Sequence, residues 1–371
     1  MSELYLGLMS GTSLDGVDGV LADFSQASPR VLGHASHPFP DSLKQELLAL
    51  NSPGPDELHR AALAANALVR VYAAVVAELL QSTKLAPQAI RALGAHGQTV
   101  RHRPQMFDGT GYTLQLNQPA LLAELTGIPV VADFRSRDVA AGGQGAPLVP
   151  PFHQAMFGRL GGMTAVLNVG GISNITVLTP DTEQELLGFD CGPGNALMDA
   201  WCLQHTGAPY DDRGSWAAQG QVHADLLQHL LDEPFFAAAP PKSTGRDLFN
   251  GPWLQAKLAG FGEVSAVDVQ ATLTELTARS CADCVRRFAP GASRLLVCGG
   301  GALNHHLMDR LSALLPGCAV FSTEVHGVPA MQVEALAFAW LARQCVLGQT
   351  ASLKSVTGAR GARILGAIYQ S

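Results

Sequence analysis

The sequence predicts an α/β protein built from two similar halves. Its 371 residues are more than a single hydrophobic core usually organises, so two domains are the default expectation. Short apolar runs typical of strands alternate with longer segments of helical periodicity. A strand–glycine turn–strand pattern also occupies residues 4–24 and returns at residues 164–178. Each copy opens one half of the chain, which places the domain boundary near residues 158–162.

The individual elements follow from these patterns. Apolar runs bounded by glycine, proline or polar residues predict strands, and longer amphipathic segments predict helices. The predicted strands cover residues 4–9, 17–24, 31–40, 90–95, 113–116, 128–134, 165–169, 175–178, 187–189 and 295–298. The main predicted helices cover residues 42–50, 56–80, 119–126, 196–204, 222–231, 252–258, 267–288, 303–315 and 331–347. The first predicted domain is residues 1–160 with the tail 355–371, and the second is residues 161–354.

Composition and charge exclude several classes of function. A net charge of -7 argues against a nucleic-acid partner, which would need a clustered basic face. Residues 61–80 are apolar but include Asn66, Arg70 and Glu78, so this segment predicts a packed helix and no membrane partner. Seven cysteines without a disulfide spacing indicate free thiols in a reducing compartment, and therefore a cytoplasmic protein.

The first glycine turn, residues 10–16, reads Ser-Gly-Thr-Ser-Leu-Asp-Gly between two predicted strands. Glycine allows backbone N–H groups to approach an anion closely, and the hydroxyls add donors. Asp15 and Asp18 are unusual beside an anion unless a divalent cation lies between them. The turn is therefore either a site for a metal–nucleotide phosphate or an ordinary hairpin satisfied by its Asp and Gly residues. By itself it favours neither interpretation.

Two further glycine turns also follow predicted strands, at Gly170-Gly171 and at Gly299-Gly300-Gly301. The sequence has no Walker A pattern and no complete Gly-x-Gly-x-x-Gly. The two similar hairpins could hold phosphates from opposite sides of a cleft, and the third turn offers a flat backbone to a nucleoside. Taken alone, the third turn is better explained as a tight corner between a strand and a helix.

Asp190 is the candidate catalytic residue. It ends a predicted strand and precedes the glycine loop 191–194 and a helix. A carboxylate in that position can take a proton from a hydroxyl or a water molecule. The alternative is that it caps the helix beginning near Asn195, but five residues is far for a cap.

A polar cluster is predicted from His96, Gln98 and Thr99, together with Arg135 at the end of a neighbouring strand. Such groups at strand ends suit a sugar with several hydroxyls, and Arg135 would suit a carboxylate. The alternative for His96 is a hydrogen bond to the backbone. The basic run at residues 242–246 is compatible with an anion site, although a solvated loop is the more common outcome.

Six motifs together resemble the anhydro-N-acetylmuramic acid kinase family. They occur in the family's order, and the resemblance extends from residue 5 to about residue 369. The Met-Ser-Gly-Thr-Ser-x-Asp-Gly opening is the most specific of them. The motifs are Met9–Asp18, His96–Thr99, Asp133–Arg135, Gly142–Leu148, Phe189–Asn195 and Cys298–Gly301.

The resemblance implies a fold and an activity that composition and spacing do not reveal. The family belongs to the superfamily of acetate and sugar kinases, heat-shock chaperones and actin. Its members have two duplicated ribonuclease-H-like domains, with mixed sheets flanked by helices, around a central nucleotide cleft. They are cytoplasmic homodimers that use ATP and Mg²⁺ to convert 1,6-anhydro-N-acetylmuramic acid and water to N-acetylmuramic acid 6-phosphate and ADP. This reaction recycles peptidoglycan.

The resemblance also implies roles for particular residues. Asp190 would activate the water that attacks the anomeric carbon, and Gly11–Asp18 would bind the ATP phosphates. The residue pattern, and not the resemblance, makes Asp15 and Asp18 the candidate Mg²⁺ ligands. The residues expected to bind ATP are Gly11, Thr12, Ser13, Leu14, Asp15, Gly16, Val17, Asp18, Gly170, Gly171, Gly299, Gly300 and Gly301.

Two alternative functions remain open at this point. One is an ordinary sugar kinase that phosphorylates an existing hydroxyl. The other is an actin- or chaperone-like ATP module, against which the polar cluster at His96, Gln98 and Arg135 argues.

Overall fold

The computed structural model describes residues 3–11, 14–26, 28–179, 186–245 and 248–371. Two members of the first glycine turn, Thr12 and Ser13, and Arg246 of the basic run therefore lie outside the described residues. The chain forms two compact units. The first unit is Met1–Phe152 with Gln332–Ser371, and the second unit is His153–Met331.

Most strands and helices lie where the sequence predicts them, but the strands Gln98–Pro104 and Ala319–Ser322 are missed by the sequence analysis. The strands are β1 (Leu4–Met9), β2 (Gly16–Asp23), β3 (Arg30–Pro38), β4 (Ala92–Ala95), β5 (Gln98–Pro104), β6 (Gly111–Leu116), β7 (Val130–Ala132), β8 (Thr164–Val169), β9 (Ile172–Leu178), β10 (Leu187–Pro193), β11 (Arg294–Cys298), β12 (Ala319–Ser322) and β13 (Ala367–Tyr369). The helices are α1 (Asp41–Ala49), α2 (Glu57–Thr83), α3 (Pro119–Thr126), α4 (Ser136–Ala140), α5 (Pro150–Phe157), α6 (Ala196–Thr206), α7 (Ala224–Leu231), α8 (Pro234–Ala237), α9 (Gly251–Leu258), α10 (Ala266–Phe288), α11 (His305–Leu314), α12 (Val333–Val346) and α13 (Lys354–Thr357).

The two units share one sheet topology. The sheet of the first unit has the order β13-β7-β4-β1-β2-β3, and that of the second has the order β10-β9-β8-β11-β12. In each unit the first three strands, β1–β3 or β8–β10, pair as antiparallel neighbours. Two further strands, β4 and β7 or β11 and β12, then extend the sheet beyond the first strand and run parallel to it. This is the ribonuclease-H-like strand order. The prediction of a duplicated α/β fold with mixed sheets is therefore confirmed.

Two glycines in the first sheet determine where α12 packs. A Cβ atom on Gly7 of β1 would lie 1.9 Å from the backbone oxygen of Ala335, and one on Gly94 of β4 would lie 2.2 Å from that of Phe338. Because neither glycine has a side chain, α12 lies directly on β1 and β4. Residues 332–354 therefore belong to the first unit, whereas the sequence analysis placed them in the second domain; residues 153–160 belong to the second unit.

The long helix α2 covers the first unit's sheet. By length and composition alone it could cross a membrane, since its most apolar window has a mean hydropathy of 1.7. One face of α2 is instead buried in the core, through residues that include Leu68, Tyr72, Val75 and Leu79. Amphipathic packing of this kind is typical of a core helix.

The core of the second unit lies between its sheet and α10. The thiols of Cys281 and Cys284 on α10 are buried there with Cys191 of β10. None of the seven cysteines, all of them in the described residues, forms a disulfide. Among the residues that the structure describes, no group of three or more His, Cys, Asp or Glu side chains is placed to hold a metal ion.

Candidate active site

The first glycine turn joins β1 to β2 through a close backbone approach. Leu14 has a left-handed φ of 59°, and its N–H group donates to the Gly11 oxygen at 3.2 Å. A Cβ atom on Gly16 would lie 2.2 Å from the His37 oxygen, so only glycine fits there. The Gly11 oxygen also accepts a hydrogen bond from Gln98 Nε2 at 3.0 Å. The described part of the turn is thus tied to the polar cluster of the same unit.

The two carboxylates of this turn have different surroundings. The side chain of Asp15 is 79% exposed and lies 3.8 Å from Lys44 Nζ. Asp18 lies 3.5 Å from His34 and also acts electrostatically on Glu334, in the first turn of α12. Burial and the charge of Asp18 raise the pKa of Glu334, whereas Arg135 lowers it. The sequence analysis missed Glu334, because nothing local distinguishes it from any other acidic residue that begins a helix.

His96 and Arg135 are direct neighbours in the structure. Arg135 Nε and Nη2 lie 3.1 and 2.8 Å from His96 Nε2, and Arg135 Nη1 donates to the Gly145 oxygen at 2.8 Å. Burial and the Arg135 charge lower the pKa of His96 to about 3, so the imidazole is neutral at physiological pH. Because Nε2 accepts from arginine, the ring proton is assigned to Nδ1. Burial lowers the pKa of Arg135 to about 10, which leaves it positively charged.

Gln98 and Thr99 follow His96 along the chain and differ in their partners. Gln98 is buried, and its Oε1 atom has no hydrogen-bond partner. His96 Nδ1 makes no hydrogen bond of good geometry either, although the backbone of Ser10 and Gly97 lies close enough to raise the His96 pKa slightly. Buried polar atoms without partners are rare in folded proteins, so this pair indicates a place for a polar ligand. Thr99 Oγ1 accepts from Gln115 Nε2 at 3.2 Å, which ties it to the neighbouring strand β6.

Asp138 is a second residue that the sequence analysis missed. It is fully buried, and its Oδ2 atom accepts the Gly145 N–H at 2.8 Å. Its Oδ1 atom accepts from Thr357 Oγ1 in the tail at 2.8 Å. A Cβ atom on Gly143 would lie 2.2 Å from Oδ2, so the glycines of the 142–145 loop let it wrap closely around this carboxylate. Asp138 therefore holds the loop whose Gly145 oxygen contacts Arg135.

Asp190 lies in the middle of β10, beside a β-bulge between Asp190 and Gly192. The prediction that the strand ends at Asp190 is therefore wrong, because β10 continues to Pro193. Its Oδ2 atom accepts the Thr244 N–H at 2.9 Å, and its own N–H donates to the Lys242 oxygen at 3.1 Å. Burial raises the pKa of Asp190 to about 6, although the Thr244 N–H and the Lys242 charge lower it. A carboxylate with a pKa near physiological pH is suited to accept a proton in a reaction. The described part of the basic run thus holds Asp190 through its backbone.

The second glycine turn is hydrogen-bonded to the N-terminus of α6. The oxygen of Gly170 accepts the N–H of Asn195 at 2.7 Å, and that of Gly171 accepts those of Gly194 and Ala196 at 2.9 and 3.2 Å. Asn195 Nδ2 donates to the Val169 oxygen at 3.1 Å. The connection from β10 to α6 is therefore fixed to this turn.

The third glycine turn lies beside the second in space. Gly299 has a φ of 78°, and a Cβ atom there would lie 2.4 Å from Asn168 Oδ1, near the end of β8. A Cβ atom on Gly301 would lie 2.4 Å from Val169 Cγ1, and one on Gly300 would lie 3.2 Å from Asn195 Nδ2. The two turns meet because β8 and β11 are parallel neighbours, so their carboxyl ends share one sheet edge. Ligands commonly bind outside such edges in α/β sheets.

Two units with the same strand order, each with a glycine turn between its first two strands, define the class of duplicated ribonuclease-H-like proteins. Within that class, the chain belongs to the anhydro-N-acetylmuramic acid kinase family, whose model matches residues 3–371. The family prediction from six motifs is therefore confirmed.

Proteins that carry this family name align with the chain over nearly its whole length. It is 65% identical over 387 residues to the anhydro-N-acetylmuramic acid kinase of Albidiferax ferrireducens, with 100% of each chain covered. It is 61% identical over 370 residues to that of Variovorax paradoxus, with 99% of each chain covered. It is 58% identical over 371 residues to that of Cupriavidus metallidurans, with 99% of this chain and 98% of the relative covered.

Proposed function

We propose that this protein is an ATP-dependent kinase that hydrolyses the 1,6-anhydro ring of 1,6-anhydro-N-acetylmuramic acid and phosphorylates O6. The products are N-acetylmuramic acid 6-phosphate and ADP, which places the protein in the recycling of peptidoglycan. Membership of the family supports the substrate and the reaction. The observation that carries the mechanism is Asp190, a half-buried carboxylate of β10 whose pKa is raised to about 6 by partial removal from solvent.

Asp190 acts as the general base. It takes a proton from a water molecule, whose oxygen attacks the anomeric carbon as the bond from that carbon to O6 breaks. The freed O6 then takes the γ-phosphoryl group of ATP, and ADP leaves. At physiological pH a carboxyl group with a pKa of about 6 is mostly ionised and still basic enough to hold the proton.

The polar cluster binds the sugar through complementary groups. Arg135 contributes a positive charge for the lactyl carboxylate, and neutral His96 contributes an Nδ1–H donor. Gln98 contributes the acceptor Oε1 for a sugar hydroxyl. Thr99 completes the set, with its hydroxyl oriented by Gln115.

The residues proposed to bind ATP lie in the glycine turns. In the first unit they are Gly11–Asp18, for phosphate. In the second unit they are Gly170-Gly171, for phosphate, and Gly299–Gly301, for the nucleoside.

Mg²⁺ fits the first unit at Asp18 better than at Asp15. Asp15 lies near the positive charge of Lys44. The negative charge of Asp18 instead repels that of Glu334, and a cation would reduce this repulsion. Because Mg²⁺ usually keeps several waters and binds through one or two carboxylates plus substrate phosphates, contact through water is sufficient. When bound, the ion would neutralise charge on the phosphates during transfer.

Two measurements test the proposed activity. A coupled assay for ADP with 1,6-anhydro-N-acetylmuramic acid should show ADP release above a no-sugar control, and its absence would refute the proposal. Running the reaction in ¹⁸O-labelled water should place the label on the anomeric oxygen, because only ring hydrolysis puts it there. An unlabelled product would indicate an ordinary sugar kinase. A rate of ATP hydrolysis that the sugar leaves unchanged but a protein client increases would indicate an actin- or chaperone-like module.

We also expect a cytoplasmic homodimer, as the family resemblance implies. Seven cysteines that form no disulfide, six of them buried, support a reducing compartment. Light scattering coupled to size-exclusion chromatography should give the mass of two chains, and the mass of a single chain would contradict the dimer.

A further inference from the structure

A closed ring of three hydrogen bonds lies inside the first unit. The Gly97 N–H donates to the Tyr72 hydroxyl at 3.0 Å, and the Ser10 hydroxyl donates to the Gly97 oxygen at 3.1 Å. Tyr72 and Ser10 are themselves 2.9 Å apart. Because the single Ser10 proton is directed at Gly97, Tyr72 donates to Ser10. Each member therefore both donates and accepts, and such rings strengthen cooperatively in a low-dielectric interior.

The ring is buried in apolar surroundings. Tyr72 is 0% exposed and Ser10 is 1% exposed. On α2, Tyr72 stands among buried aliphatic residues that include Leu68 and Val75. A phenylalanine would fill the same volume without a polar atom, and burying a hydroxyl is unfavourable unless it is hydrogen-bonded. The two hydrogen-bond partners therefore explain why a tyrosine stands here, since the packing of the helix alone requires no hydroxyl.

Those two partners belong to different parts of the proposed active site. Ser10 directly precedes Gly11 in the phosphate turn, and Gly97 lies between His96 and Gln98 of the sugar-binding cluster. The bond from Gln98 Nε2 to the Gly11 oxygen makes a second link between the same segments. Only glycine fits between His96 and Gln98, because φ is +80° there and a Cβ atom would lie 2.6 Å from the Leu116 oxygen. A displacement at one strand end is thus passed to the other.

We propose that Tyr72 is a positioning residue that couples sugar binding to nucleotide binding by joining Ser10 of the phosphate turn to Gly97 of the sugar-binding cluster. This inference rests on the proposed function, in which those two segments bind ATP and the sugar. Tyr72 touches neither ligand and acts only through the ring. Sugar that holds Gly97 in place also holds Ser10 in place through Tyr72, so each ligand raises the affinity for the other by the same factor.

Tyr72→Phe removes one hydroxyl and opens the ring. The affinity of a non-hydrolysable ATP analogue is measured by calorimetry with and without saturating 1,6-anhydro-N-acetylmuramic acid, and the ratio of the two dissociation constants is the coupling factor. In the wild-type protein the sugar should tighten analogue binding. In Tyr72→Phe the coupling factor should fall roughly 3- to 10-fold, as expected for one buried neutral hydrogen bond.

Tyr5→Phe is the matched control. Tyr5 is also fully buried in the first unit, where it lies on β1. Its hydroxyl takes no part in the ring. Its loss should leave the coupling factor unchanged even if the protein becomes less stable. Ser10→Ala opens the ring at a different atom and serves if Tyr72→Phe does not fold. The double variant should lose no more coupling than either single variant, because a ring opened once is already broken.

The outcomes separate the inference from the function on which it rests. A coupling factor in Tyr72→Phe and Ser10→Ala equal to that of the wild type would overturn the inference, as would a wild-type protein in which the sugar leaves analogue binding unchanged. A lower melting temperature without a change in coupling would assign Tyr72 a structural role only. Failure of the wild-type protein to bind the sugar at all would instead refute the proposed function.

Discussion

Replacing Asp190 with asparagine should stabilise the protein while it removes activity. The folded-state pKa of Asp190 is about 6, against an ordinary value of 3.8. One pKa unit corresponds to about 1.4 kcal/mol, so near neutral pH the ionised carboxylate destabilises the folded state by about 1–3 kcal/mol. Asparagine carries no charge, and its Oδ1 atom can still accept the Thr244 N–H that now reaches Asp190 Oδ2.

The direction of the pH dependence follows from the raised pKa. Because the folded state binds this proton more tightly than the unfolded chain, the stability that Asp190 contributes is fully present below the unfolded pKa of 3.8 and is lost as the pH rises through about 6. The free energy of unfolding of Asp190→Asn should therefore exceed that of the wild type most at about pH 8, by about 1–3 kcal/mol. At about pH 5 the difference should be roughly half as large.

Thermal unfolding at these two pH values measures the effect. A gain of about 1 kcal/mol raises the melting temperature of a domain of this size by roughly 2–4 °C. Turnover of the anhydro sugar should fall by a factor on the order of 10²–10⁴, as for a lost general base. Asp309→Asn is the control, because Asp309 is an exposed carboxylate within α11. Its substitution should change stability by less than about 0.5 kcal/mol at either pH.

Two results would refute this reasoning. If Asp190→Asn were less stable than the wild type near neutral pH, Asp190 would be stabilised by its surroundings and its pKa would not be raised. A stability difference independent of pH would lead to the same conclusion. Turnover close to that of the wild type would remove Asp190 from the catalytic role.

Three further predictions concern the two ligand sites. Arg135→Ala should raise the KM for the sugar roughly 10- to 100-fold through loss of a charge-assisted contact, and an unchanged KM in steady-state kinetics would reject the role. Lys242→Met removes a charge that lowers the pKa of Asp190, so the acidic limb of the kcat/KM profile should move above about pH 6; a profile that superimposes on the wild type would contradict this. Gly299→Ala should destabilise the protein by at least about 1–2 kcal/mol in urea unfolding, because its φ is positive and its Cβ atom would meet Asn168 Oδ1. Unchanged stability would show that the turn can relax.

The sequence by itself determined the elements, the duplication and the family. The helix predicted at residues 56–80 is α2, Glu57–Thr83, because its apolar periodicity is a local property of the chain. The hairpins at residues 4–24 and 164–178 are the β1–β2 and β8–β9 pairs of the two sheets. Both features depend on near neighbours in sequence, so a reading of local patterns is enough to find them.

Only the tertiary structure decided which distant segments meet. An apolar helix such as α12 can pack on either sheet, and its position depends on Gly7 and Gly94, far earlier in the chain. The same holds for Thr244, whose backbone N–H holds Asp190, and for Glu334, whose surroundings include Asp18 and Arg135. The physical reason is that hydrogen bonds and desolvation depend on distance in space, and no local pattern encodes that distance.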